Sequence, residues 1–81
     1  MEDTSILSQI NDLVDEEHKL RTQLASGEIS VSEEHERLRA VEESLDQCWD
    51  LLRRRRAARE FGQDPDAVEV RSKEQVENYI E

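Results

Sequence analysis

Two apolar seams, each stepping by three and four residues, constrain this chain more than any other feature. In the first, apolar residues fall at Ile6, Ile10, Leu13, Leu20 and Leu24, and Glu17 fills the gap, so the steps run 4, 3, 4, 3, 4. In the second they fall at Leu38, Val41, Leu45, Cys48 and Leu52, with steps 3, 4, 3, 4. A repeat averaging 3.5 residues marks helices that pack along one stripe. Leu7 and Val14 beside the first seam, and Trp49 and Leu51 beside the second, widen each stripe as a bundle helix requires.

The punctuation around the seams sets their connection. Asp3, Thr4 and Ser5 offer capping oxygens to the first helix, and Gly27 suits a left-handed C-terminal residue after Ala25 or Ser26. Ser30 followed by Glu33 is a capping box that opens the second helix, which runs to Phe61 and stops at Gly62. A link this short joins antiparallel neighbours, so residues 1–61 form a helical hairpin. Folding it about residues 27–28 sets Leu24 against Val31, Leu13 against Val41, Ile10 against Leu45, and Ile6 against Cys48 and Trp49. Glu17, opposite Leu38, is then expected to bond Arg37 or Arg39, since an unpaired carboxylate on a seam costs stability. The second helix, at about 48 Å, outreaches the first, at about 33 Å. From about Arg53 onward it overhangs with no partner inside the hairpin.

Residues 62–71 read as a linker. Pro65 disfavours helix at the residue before it, so Gln63 to Asp66 is a turn, and Val68 and Val70 then alternate with charges. Ser72 with Gln75 is a second capping box, opening a last helix over 72–81 with Val76, Tyr79 and Ile80 on one face. At about nine residues that helix needs something to dock on.

Composition decides how such a hairpin survives. With 81 residues, 35% of them hydrophobic, core burial alone leaves only about 3–5 kcal/mol. One cysteine allows no internal disulfide, so self-association is the expected supplement. No apolar run approaches the roughly 18 residues of a membrane span, and no signal-peptide stretch follows Met1. A cytoplasmic protein with no membrane contact is expected.

Charge is uneven. Residues 1–52 carry 14 acids and 4 bases, residues 53–59 carry five arginines and no acid, and residues 60–81 carry 7 acids and 2 bases. The net charge of −10 opposes binding to nucleic acid or anionic membrane. The candidate surface is therefore the basic block, Arg53, Arg54, Arg55, Arg56 and Arg59, with Trp49, Phe61 and Tyr79 as its aromatic neighbours. Three readings compete for the arginines. The preferred one has Asp64, Asp66 and Glu69 of the tail folding back to neutralise them at a helix C-terminus. In the second they bind acids of another copy, such as its Glu2 and Asp3. In the third, and weakest, they grip phosphate or nucleic acid.

No metal, cofactor or catalytic residue is expected. Glu16-Glu17-His18 and Glu33-Glu34-His35 suggest a metal, but helical di-iron sites place Glu three residues before His. Those positions hold Asp15 and Ser32. Cys48 lies one turn before the arginines, yet a free cysteine on a seam usually behaves as a small hydrophobe.

The words Leu13-Val14-Asp15-Glu16-Glu17-His18, Leu45-Asp46-Gln47-Cys48-Trp49-Asp50-Leu51-Leu52-Arg53 and Arg59-Glu60-Phe61-Gly62-Gln63-Asp64-Pro65 carry a resemblance. On them the chain resembles the domain of unknown function 2630 family, short bacterial proteins found mostly in actinobacteria. The resemblance spans nearly the whole chain and implies a small intracellular bacterial protein. It brings no activity, cofactor or catalytic residue.

The expected fold is all-α: an antiparallel, coiled-coil-like hairpin with a short C-terminal helix, paired with a second copy into a four-helix bundle. That second copy covers Leu7, Val14, Trp49 and Leu51, off the seam. Alternatively the C-terminal helix folds back, setting Val76, Tyr79 and Ile80 against Trp49 and Phe61. The expected function is that of a homodimeric adaptor or regulator binding another protein. Phosphate or nucleic-acid binding through Arg53–Arg59 is the alternative, and a metal-binding bundle through His18 and His35 the third reading.

Overall fold

Local sequence signals account for where each helix starts and stops. The computed structural model describes residues 2–80, with side chains as far as Asn78. It contains α1 (Asp3–Ala25), α2 (Val31–Glu60), a single 3₁₀ turn (Pro65–Ala67) and α3 (Lys73–Ile80). Both long helices end in the same two-bond motif. The Gly27 amide donates to the Leu24 carbonyl and the Glu28 amide to that of Gln23. The Gly62 amide likewise donates to Arg59 and the Gln63 amide to Ala58. Each motif needs one left-handed residue, and Gly27 (φ 77°) and Gly62 (φ 72°) supply it. Both capping boxes form. Ser30 Oγ accepts from the Glu33 amide at 3.1 Å, and Ser72 Oγ accepts from the Gln75 amide at 3.2 Å. The start of α1 differs from expectation: Glu2 is the cap residue and no side chain caps the helix. Asp3 instead pairs with arginines of α2.

The hairpin is antiparallel, as the short link requires. Ile6, Ile10, Leu51 and Leu52 form its buried cluster, with Leu45, Cys48 and Val68 packed against them. Leu20 and Val41 are buried further toward the link. Leu51 thus needs no second copy: it belongs to the core, and the returning linker packs there through Val68. Three further contacts differ from the seam arithmetic. Val31 is 59% exposed and does not close the core against Leu24. Glu34 instead is the buried residue at that end of α2. Glu17 pairs with Arg21 one turn along its own helix, at 3.1 Å, and not with Arg37 or Arg39. Arg39 is held the same way by Glu43. Pairs four residues apart lie on one helix face and form without tertiary help.

After Gly62 the chain reverses and runs back along α2. Gln47 Nε2 donates to the Arg71 carbonyl at 2.8 Å, and Arg54 donates to the Glu69 carbonyl at 2.8 Å. An irregular segment leaves its carbonyls without ladder partners, and these α2 side chains satisfy them. The tail then delivers α3 to the middle of α2, beside Arg39, Glu43 and Asp46, with Val76 2% exposed. This is a fold-back, but not onto the expected aromatics: Phe61 is 80% and Trp49 41% exposed. The capping box at Ser72 fixes where α3 starts, and that start lies abreast of Gln47, well short of Phe61. The side chains of Tyr79 and Ile80 lie outside the described residues.

α1 and α3 both pack on α2 and, among the described residues, not on each other. The molecule is accordingly wide and thin, 51 × 26 × 14 Å between Cα extremes. It is closer to one layer of helices than to a bundle.

Candidate interaction surface

Continuing the seams by their own spacing places charge where apolar residues stop. Three residues before Ile6 stands Asp3, and three and seven after Leu52 stand Arg55 and Arg59. In the structure these meet. Arg55 Nε donates to Asp3 Oδ1 at 2.8 Å, and Arg59 Nη2 pairs with Asp3 Oδ2. Arg55 Nη1 also donates to the Pro65 carbonyl at 2.9 Å and to Asp66 Oδ1 at 3.1 Å. Arg55 is only 4% exposed, and its three hydrogen-bond partners, Asp3, Asp66 and the Pro65 carbonyl, close that end of the hairpin. The planar guanidinium fork suits such divergent acceptors. The Arg59 and Arg55 bonds together hold the Asp3 carboxyl down at about 2, from an ordinary 3.8. Asp66 is lowered for the same reason, chiefly by Arg55.

The overhang is therefore not without a partner. Asp3 of the same chain reaches it, where acids of another copy were an expectation, and the tail supplies the rest. Arg54 completes the closure, bonding Asp50 at 3.4 Å, while Arg71 approaches the other Asp50 oxygen at 3.6 Å. Asp50, 8% exposed, and Gln47 are the positions of this closure that seam reasoning missed. They sit on the back of α2, seven and four residues before Arg54 in the case of Gln47 and Asp50, a helical spacing that could have marked them.

Of the five arginines, Arg54, Arg55 and Arg59 are committed to this closure. Arg53 and Arg56 are exposed and unused by it. They lie on the side of α2 that also carries Trp49, seven residues before Arg56. By the same heptad count Leu7 and Val14 lie on the matching side of α1. Leu7 is 41% exposed, Val14 36% and Trp49 41%. Among the described residues nothing covers this broad face of the layer. On the opposite face α3 leans across, with Lys73 lining a groove against Leu13 and Glu16. The open face is bounded by a groove of about 580 Å³ between α2 and α3, lined by five carboxylates against two bases, Glu42 and Asp46 among the acids.

Neither remaining chemical candidate gathers a site. Cys48 is half-buried, its thiol 3.9 Å from Gln9 Oε1, and burial pushes its pKa up, away from a reactive thiolate. His18 and His35 are both exposed, and among the described residues no three metal-ligating side chains converge. Among those residues no helix is long and apolar enough to cross a membrane.

A family profile described as "Protein of unknown function (DUF2630)" matches residues 2–81. Uncharacterized proteins of Mycobacterium bovis and of Mycobacterium tuberculosis are similar to this chain, at 56% identity over 77 residues. The match covers 95% of this chain and 88% of each relative. No solved structure matches.

Proposed function

This chain belongs to the DUF2630 family of proteins of unknown function, and we propose that it works as a protein-interaction module: a homodimeric adaptor or regulator, acting in the cytoplasm, that binds another protein and catalyses nothing itself. One observation carries the reading. Leu7, Val14 and Trp49 are exposed together on one broad face of the layer, while Val31, Phe61 and Val70 are the other large apolar side chains exposed among the described residues. Aromatic residues flanked by arginine are the usual anchors of protein interfaces. A single cysteine, with no disulfide possible within the chain, suits a reducing compartment.

The phosphate reading draws less support. It needs the arginines free, and three of the five are spent on carboxylates and carbonyls of the same chain. Arg53 and Arg56 alone give two charges against a net −10.

The test is affinity capture from lysate of the source cell, with the wild-type chain and with Leu7→Glu/Trp49→Glu as paired baits. A protein held by the first and lost by the second is the expected result. Identical captures from both baits would contradict the reading, provided circular dichroism shows the variant folded.

A further inference from the structure

The open face carries a charge pattern with a centre. Along α2 its outward positions read Arg39, Glu42, Asp46, Trp49, Arg53, Arg56 and Glu60. Reversed about Trp49, the series repeats with every sign inverted. Arg56 follows Trp49 by seven residues and Glu42 precedes it by seven. Arg53 follows by four and Asp46 precedes by three; Glu60 follows by eleven and Arg39 precedes by ten. At a rise of about 1.5 Å per residue, the members of each pair stand at heights that agree to about 1.5 Å.

Resting on the reading of this face as an interaction surface, we infer that a second copy of this chain stacks on it about a twofold axis at Trp49, with the two α2 helices antiparallel. Arg56 then meets the partner's Glu42, Arg53 meets the partner's Asp46, and Glu60 meets the partner's Arg39. Twofold symmetry makes each pair occur twice. Trp49 of each copy lies at the axis. Leu7 stands beside it, because the hairpin register that sets Cys48 against Gln9 brings Leu7 to within about 1.5 Å of the height of Trp49.

Apart from Arg39, which Glu43 already holds, this arrangement uses features that the single chain leaves over. Arg53 and Arg56 are the two arginines outside the closure. Glu42 and Asp46 form part of the acidic groove beside α3, so the partner's arginines arrive where carboxylates are in excess. An apolar centre with a charged rim is the ordinary anatomy of an interface. The area also allows it: the 51 × 26 Å outline of the layer sets an upper limit of about 1,300 Å², above the roughly 800 Å² per partner of a stable interface. Each chain at −10 repels its copy at long range, so the paired charges, not the summed field, set the register.

Charge reversal tests this on the full chain. Arg56→Glu and Glu42→Arg each reverse one member of a pair that occurs twice, at exposed positions. In light scattering over a dilution series at physiological salt, each variant is expected to dimerise at least about tenfold more weakly than wild type. The first makes the chain more acidic and the second less, so an effect of net charge alone cannot weaken both. Mixed one to one, the two variants offer each other opposite charges at both positions and are expected to recover wild-type affinity. Arg53→Asp with Asp46→Arg repeats the test should either variant fail to fold by circular dichroism. Three results overturn the proposal: a wild-type mass of one chain at every concentration, a dimer that neither reversal weakens, or no recovery on mixing. Loss of a captured partner with Leu7→Glu/Trp49→Glu, in a wild type that stays monomeric, would sink this inference and the homodimeric part of the reading above, and leave the binding of another protein standing. A dimer that behaves as described, with no other protein captured, would do the opposite.

Discussion

Arg55 is the side chain on which the closed end of the molecule depends. It occupies a seam position where the repeat calls for a hydrophobe, and it is buried because Asp3, Asp66 and the Pro65 carbonyl take its donors. Removing one partner of a buried pair strands the other, so Arg55→Gln should loosen the tail and the start of α1 together. The pH dependence follows from Asp3. Its folded pKa, about 2, lies below the ordinary 3.8, so its contribution to stability is complete above about pH 4 and is lost as pH falls toward 2. Titration of the Asp3 carboxyl carbon by NMR should give a midpoint near 2 in the wild type, rising toward the ordinary value in Arg59→Gln or Arg55→Gln. A midpoint near 3.8 in the wild type would show that the closure does not form in solution.

Among the elements, α2 is the one that every other packs on, and α3 is the one held most lightly. It has eight residues, too few to be stable alone, and Val76 is its one described side chain that is fully buried. Val76→Asp should therefore release α3 while the hairpin stays folded. Amide exchange in the variant is expected to speed up over Lys73–Ile80 and to stay slow over Ile6–Leu20. Uniform acceleration would mean that α3 is integral to the core. The boundaries of these elements were legible in the sequence because glycine turns and capping boxes are local signals. The hairpin was legible because a short link between two heptad seams allows little else. What escaped were contacts to the tail that no periodicity encodes, Gln47 and Arg54 holding its carbonyls and Arg71 reaching Asp50, together with the pairs Glu17–Arg21 and Asp50–Arg54, which lie four residues apart on one helix and draw on Arg21, Asp50 and Arg54 outside the seams. The arginine block was visible as a run of charge. Which members are buried and which remain outward depends on the seam phase beyond Leu52, where chemistry changes but geometry continues.

At the scale of the whole molecule, a layer 14 Å thin with α1 and α3 on α2 buries one seam and leaves one broad face open. Domains of this kind are stable when a second layer covers such a face. The sign-inverting series about Trp49 is the ground on which we infer that another copy of the same chain supplies that layer. The measurement that bears on this most directly is the absolute mass of the wild-type chain in solution, by light scattering across a dilution series. The account predicts two chains, twice 9.5 kDa, with Trp49 emission shifting to the red as dilution separates them. A mass of one chain throughout, with Trp49 emission independent of concentration, would contradict it.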